Sequence, residues 1–189
     1  MSEIQLLPAV REFLATPKRL LIGGQWVDAA SGKRFGVENP ATATQLCEVA
    51  EGEEADVDAA VAAARAAFEG PWRWETPARR GYLLFRLAEL IDAHREELAQ
   101  LITLENGKTI AAARGEATAA ANIVRYFAGW PTKIEGSTLP VSPASGAPML
   151  NYTLREPVGV CALIVPWNFP LNMCCLLYTS DAADDSLRV

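Results

Sequence analysis

The stretch that most constrains the fold is Val158-Gly159-Val160-Cys161-Ala162-Leu163-Ile164-Val165, an unbroken apolar run rich in β-branched residues and bounded by Pro157 and Pro166. Such a run, with no polar alternation, suits a strand buried on both faces, as in a parallel sheet. A parallel strand needs a crossover, normally a helix, and a second strand beside it. Neither is legible after Pro170. From Asn172 to Val189 there is no sustained apolar stripe and no strand pattern, and Thr179 to Ser186 is polar and acidic. The sequence therefore predicts the first strand of a sheet that these residues do not complete.

Upstream of the run the pattern is mostly helical. Leu20-Leu21-Ile22, the Gly23-Gly24 pair and Gln25-Trp26-Val27 read as a tight hairpin. Further extended segments follow around Phe35, Val37 and Leu46 to Ala50. After the acidic Glu51 to Glu54, which suit a helix N-terminus, Val57, Val61, Ala64 and Phe68 recur at helical spacing as far as Gly70-Pro71. Thr76 as N-cap and Pro77 at the first helical position open another helical region. Leu83, Leu84, Leu87, Leu90 and Ile91 form its apolar stripe, and Leu98, Leu101 and Ile102 carry one on to the stop at Asn106-Gly107. A third helix runs from Ile110 through Ala113, Ala117, Ala120 and Val124 to Phe127, its alanines allowing close approach by a neighbour, and ends at Gly129. Gly136 to Pro143 and Asn151 to Arg155 read as two arms of a β-ribbon.

Composition excludes several classes. A net charge of -6 and a pI near 4.9, without a basic stripe, argue against nucleic acid as a partner. No segment reaches the ~20 apolar residues of a membrane span, and Met1 to Gln5 carries no secretory pattern; the expectation is a cytoplasmic protein. Cys47, Cys161, Cys174 and Cys175 lack metal or redox spacing, and the lone His94, placed mid-helix, reads as a solvated residue, so no metal site is expected. Cys161, inside the apolar run and without a neighbour to favour its thiolate, is rejected as a nucleophile.

Glu156-Pro157-Val158-Gly159-Val160, followed by Ile164-Val165-Pro166-Trp167-Asn168-Phe169-Pro170, resembles the N-terminal part of the NAD(P)-dependent aldehyde dehydrogenase superfamily. Leu104-Glu105-Asn106-Gly107-Lys108 and Tyr126-Phe127-Ala128-Gly129-Trp130 also look like its signatures. The resemblance covers roughly Leu20 to Leu171. It implies an α/β fold in which residues 20–135 form the helical part of a cofactor-binding domain. Residues 136–156 would be a β-ribbon oligomerisation arm, and 157–171 the first strand and loop of an incomplete Rossmann-type sheet. Residues 172–189 are expected to be a tail foreign to the family.

In that family a cysteine thiolate attacks an aldehyde, hydride passes to NAD or NADP, and a glutamate activates the water that releases the acid. The resemblance assigns Asn168 as the side-chain donor to the oxyanion. It places Ile164, Val165, Pro166 and Trp167 against the dinucleotide, and makes Trp167 and Phe169 walls of the aldehyde channel. The nucleophilic cysteine and general-base glutamate belong to family segments with no counterpart here. The chain is therefore expected to be the front portion of a longer, homo-oligomeric enzyme and inactive by itself. The alternative is a non-catalytic interaction module that pairs with intact subunits through its ribbon.

Overall fold

In a computed structural model, residues 5–183 are described. The starting residues Met1 to Ile4 and positions 184–189 of the expected tail lie outside them. The first element is one that the sequence reading lacks: helix α1 (Pro8–Leu14). Pro8 sits in its first turn, where a missing N–H does no harm. Val10 is buried, and the Leu7 N–H is accepted by Oε1 of the buried Gln100 at 2.9 Å.

The hairpin follows as the sequence predicts, with β1 (Leu20–Ile22) antiparallel to β2 (Gln25–Val27). Gly23 and Gly24 have φ of 58° and 77°, a turn that residues with a Cβ rarely make. Strands β3 (Arg34–Asn39) and β4 (Thr44–Ala50) pair next to each other, Phe35 opposite Val49 and Val37 opposite Cys47, with a register shift after Val37.

Helix α2 (Glu54–Glu69) starts in the acidic stretch. Asp56 pins that start: its carboxylate accepts the N–H of Glu53 and of Ala30, each at 2.9 Å, joining the helix to the loop after β2. These two backbone donors hold the Asp56 carboxyl below its ordinary value. A depressed acid contributes stability above the ordinary carboxylate range and loses it as pH falls through the lowered value. Acid titration of Asp56→Asn, followed by circular dichroism, should therefore show a smaller loss of stability below about pH 4 than the unsubstituted chain. The face bearing Val57 and Val61, by contrast, is exposed rather than buried; the helix forms, but nothing among the described residues covers that side.

Helix α3 (Pro77–Ala93) opens as expected, the Thr76 hydroxyl accepting the Arg79 N–H at 3.2 Å. Leu84 and Ile91 are buried, while Leu83 and Leu90 are exposed, so the buried stripe is narrower than the apolar pattern. His94 is not mid-helix. It is the junction between α3 and α4 (Arg95–Asn106), with Nδ1 bonded to Oε2 of Glu97 at 3.0 Å. Helix α5 (Ile110–Ala128) is the centre of the helical layer and packs on α3, α4 and a later helix, α6 (Pro170–Ala183). Its Ala113, Ala117, Ala120 and Ala121 are fully buried, which lets these backbones approach closely.

One such close approach is at Gly81 of α3, where an added Cβ would lie 2.7 Å from the carbonyl oxygen of Ala128. Gly81→Ala should cost about 1–3 kcal/mol, the range for overpacking. Gly115→Ala, at an exposed site of α5 where a Cβ meets nothing, should gain about 0.5–1 kcal/mol. Thermal melts of the two variants should shift in opposite directions.

The ribbon is present but short: β5 (Thr138–Leu139) pairs antiparallel with β6 (Asn151–Tyr152). The run Val158 to Val165 departs most from expectation. It has no hydrogen-bonded strand partner among the described residues, and Val158, Leu163, Ile164 and Val165 are exposed. A strand of a parallel sheet cannot be built without its neighbours, and the sheets that do form are two-stranded and antiparallel. Also contrary to expectation, a helix does follow Pro170. The missing apolar stripe is no obstacle, because α6 is held by its first turn, where Leu171 packs against both buried clusters of the helical layer.

Candidate functional site

The turn at Trp167-Asn168 lies between the unpaired apolar run and α6, and it is fastened to the α4–α5 connection. Nδ2 of Asn106, the last residue of α4, donates to the carbonyl oxygen of Trp167 at 2.7 Å. The Lys108 ammonium donates to the carbonyl oxygen of Asn168 at 2.8 Å and sits 4.2 Å from the centre of the Phe169 ring. The same ammonium is paired with Oε2 of Glu116. Glu116 is buried, with a side chain only 1% exposed, and its Oε1 accepts the N–H of Leu171 at 3.0 Å and of Asn172 at 3.3 Å. A carboxylate on the first-turn N–H groups of α6 satisfies donors that a helix leaves unpaired and complements its dipole.

The consequence is a turn fixed by its main chain and open by its side chains. Asn168 is exposed, and its side-chain amide has no hydrogen-bond partner among the described residues. The indole of Trp167 is 79% exposed and Phe169 is half exposed. Ile164 is 91% exposed, and Val165 and Pro166 are also exposed. Trp167, Asn168 and Phe169 are thus gathered on the α4–α5 platform, whereas Ile164 and Val165 lead up to it as exposed residues. An apolar cavity of about 480 Å³ between β3, β4, α4 and the start of α6 is lined by Phe13, Leu46, Leu98, Leu101 and Leu171 among others. None of the six expected site residues lines it.

Glu116 is the side chain beside the turn that sequence reasoning missed. Its signal was present: with Ala113, Ala117 and Ala120 it occupies one face of α5 at i, i+3, i+4, i+7 spacing. A carboxylate in a stripe of buried alanines requires a partner, and Lys108 supplies it.

The thiols are placed as follows. Cys161 is exposed rather than buried, because the strand expected to bury it does not pair; its Sγ lies 3.7 Å from the carbonyl oxygen of Gly159. Cys174 is exposed on α6. Cys175 is buried in the helical core, and burial pushes its thiol up to about 11, so it is protonated at neutral pH. The described residues contain no group of three or more His, Cys, Asp or Glu arranged for a metal, and no helix among them is long and apolar enough to cross a membrane.

Comparison with known proteins agrees with this geometry. The aldehyde dehydrogenase family model matches residues 26–180. An aldehyde dehydrogenase of Alternaria alternata is 45% identical over 175 residues, covering 92% of this chain and 34% of the relative. An aldehyde dehydrogenase of Aspergillus niger is 47% identical over 157 residues, covering 83% and 31%. Among solved structures, the NAD+ complex of the Bacillus cereus aldehyde dehydrogenase superposes with a TM-score of 0.92 at 47% identity, over 97% of this chain and 37% of that one. The chain thus spans about a third of the length of the relatives it matches. The family match over most of the chain and the structural superposition agree: this chain belongs to the aldehyde dehydrogenase family.

Proposed function

We propose that this chain supplies the oxyanion donor and the dinucleotide-facing loop of an enzyme that oxidises an aldehyde to a carboxylic acid with NAD or NADP. The observation that carries the reading is the presentation of Asn168, whose main chain is held by Lys108 while its amide stays unengaged. When a thiolate adds to an aldehyde, negative charge develops on the former carbonyl oxygen. A preorganised amide N–H at hydrogen-bond distance stabilises that charge without titrating. Trp167 and Phe169 offer aromatic surface to wall the substrate's path.

The open apolar edge from Ile164 to Trp167 fits a dinucleotide lying against it, and the NAD+ complex of the Bacillus cereus relative supports that choice. A bound nicotinamide would supply the hydride acceptor. On this reading the 189 residues alone do not turn over, because the nucleophilic cysteine and the general-base glutamate of the family belong to segments with no counterpart among them.

The test is a completed subunit, made by joining residues 1–171 to the remaining part of the Bacillus cereus enzyme. Aldehyde-dependent NAD(P)H formation by the joined protein, and none by the 189-residue chain, is the expected pair of results. A folded joined protein that binds NAD+ and reduces none would overturn the assignment.

The ribbon favours a second reading. Leu150 and Leu154 beside its short ladder are 79% and 71% exposed, which suits addition to another subunit's sheet. Mixing the chain with a full-length relative should give hetero-oligomers on this reading, and absence of co-migration removes it.

A further inference from the structure

The Asn106, Lys108 and Glu116 side chains reach across about sixty residues of sequence to the turn that carries Asn168. Two of their contacts are to main-chain carbonyls, which is how a side chain is left free while its backbone is fixed. We infer that Lys108 and Glu116 form a latch that sets the position of the Asn168 amide: both are positioning residues for the oxyanion site, acting through the turn and not on the substrate. This rests on the reading of Asn168 as the oxyanion donor.

The argument is geometric. Glu116 divides its two oxygens, Oε1 to the first-turn N–H groups of α6 and Oε2 to Lys108, so one buried carboxylate orients both the helix after the turn and the cation on it. Lys108, only 14% exposed, then spends its remaining reach on the Asn168 carbonyl and the Phe169 ring. Every connection made by the pair ends at residues 168–172 or within the pair itself. A pair serving only the helical core would instead face α3 or α4. An oxyanion donor displaced by about 1 Å loses much of its effect, which is the reason to fix it from both sides.

The test uses the 189-residue chain and reads order rather than turnover. Lys108→Met keeps the aliphatic stem but leaves Glu116 charged and unpaired. The double variant Lys108→Met with Glu116→Gln restores neutrality and retains an acceptor for the Leu171 N–H, so it keeps the test valid if the single variant fails to fold. In the double variant, 15N relaxation should show Trp167, Asn168 and Phe169 becoming mobile. Hydrogen exchange at Met173, whose N–H is bonded to the Phe169 carbonyl, should speed up by about tenfold, the loss of one charge-assisted hydrogen bond. The amides of α5 should be unchanged.

Unchanged order at residues 167–169, or protection lost equally through α3, α4 and α5, would overturn the latch and make the pair a packing element. Either result leaves the role of Asn168 to the joined subunit. An inactive joined subunit, conversely, leaves the latch standing.

Discussion

In the joined subunit, Asn168→Ala should lower kcat by about 10²- to 10³-fold, the cost of removing one preorganised oxyanion donor, equivalent to ~3–4 kcal/mol of transition-state stabilisation. The side chain is exposed and makes no contact that supports the fold, so the melting temperature and the affinity for NAD+ should be unchanged. KM should move little, because the hydrogen bond gains strength only as charge develops. Asn168→Asp is the sharper comparison. It preserves size but replaces the amide donor with an acceptor bearing the same charge sign as the oxyanion, and should be at least as slow as the alanine variant. Steady-state kinetics with both variants check the prediction, and an Asp variant retaining full kcat would remove Asn168 from the reaction.

Glu116→Ala should unfold the chain at a markedly lower temperature. Removing one partner of a buried ion pair costs about 3–5 kcal/mol, because the other charge stays without its counterion. Here the loss also deprives the first turn of α6 of its acceptor for Leu171 and Asn172. At roughly 2–4 °C per kcal/mol for a chain of this size, the melting temperature should fall by about 10 °C. Glu105→Ala, one residue from the end of α4 and exposed, is the control and should shift the melt by less than about 0.5 kcal/mol. Calorimetry on both variants separates a general loss of acidic charge from the loss of this one carboxylate.

Local signals were legible where they act within a few residues. The Gly23-Gly24 hairpin, the Thr76 cap with Pro77 behind it, and the Ala113-Ala117-Ala120 face of α5 all stand where hydrophobic period and turn chemistry put them. Reading failed where an outcome depends on what lies across space. The apolar faces of α2 and of Val158–Val165 have the pattern of buried elements, yet burial requires a partner, and periodicity reports only a preference. Helix α1 was missed because seven residues with one buried valine give too short a stripe to register. For the site, the Pro-Trp-Asn-Phe-Pro turn was readable from resemblance, but its fastening was not: Asn106, Lys108 and Glu116 meet it only after α4 and α5 have packed.

That fastening has an implication for how such a chain matures. Asn106, Lys108 and Glu116 leave the ribosome well before residues 167–172, and so do all the residues of the buried α3–α5 cluster except Cys175 of α6, with α4 packed on α5. The Asn168 turn is therefore not something the nascent polypeptide must shape by local preference. It is cast against a mould made earlier in translation, and a chain assembled in this order acquires its exposed Asn168 amide as a late addition to a surface built mostly before it.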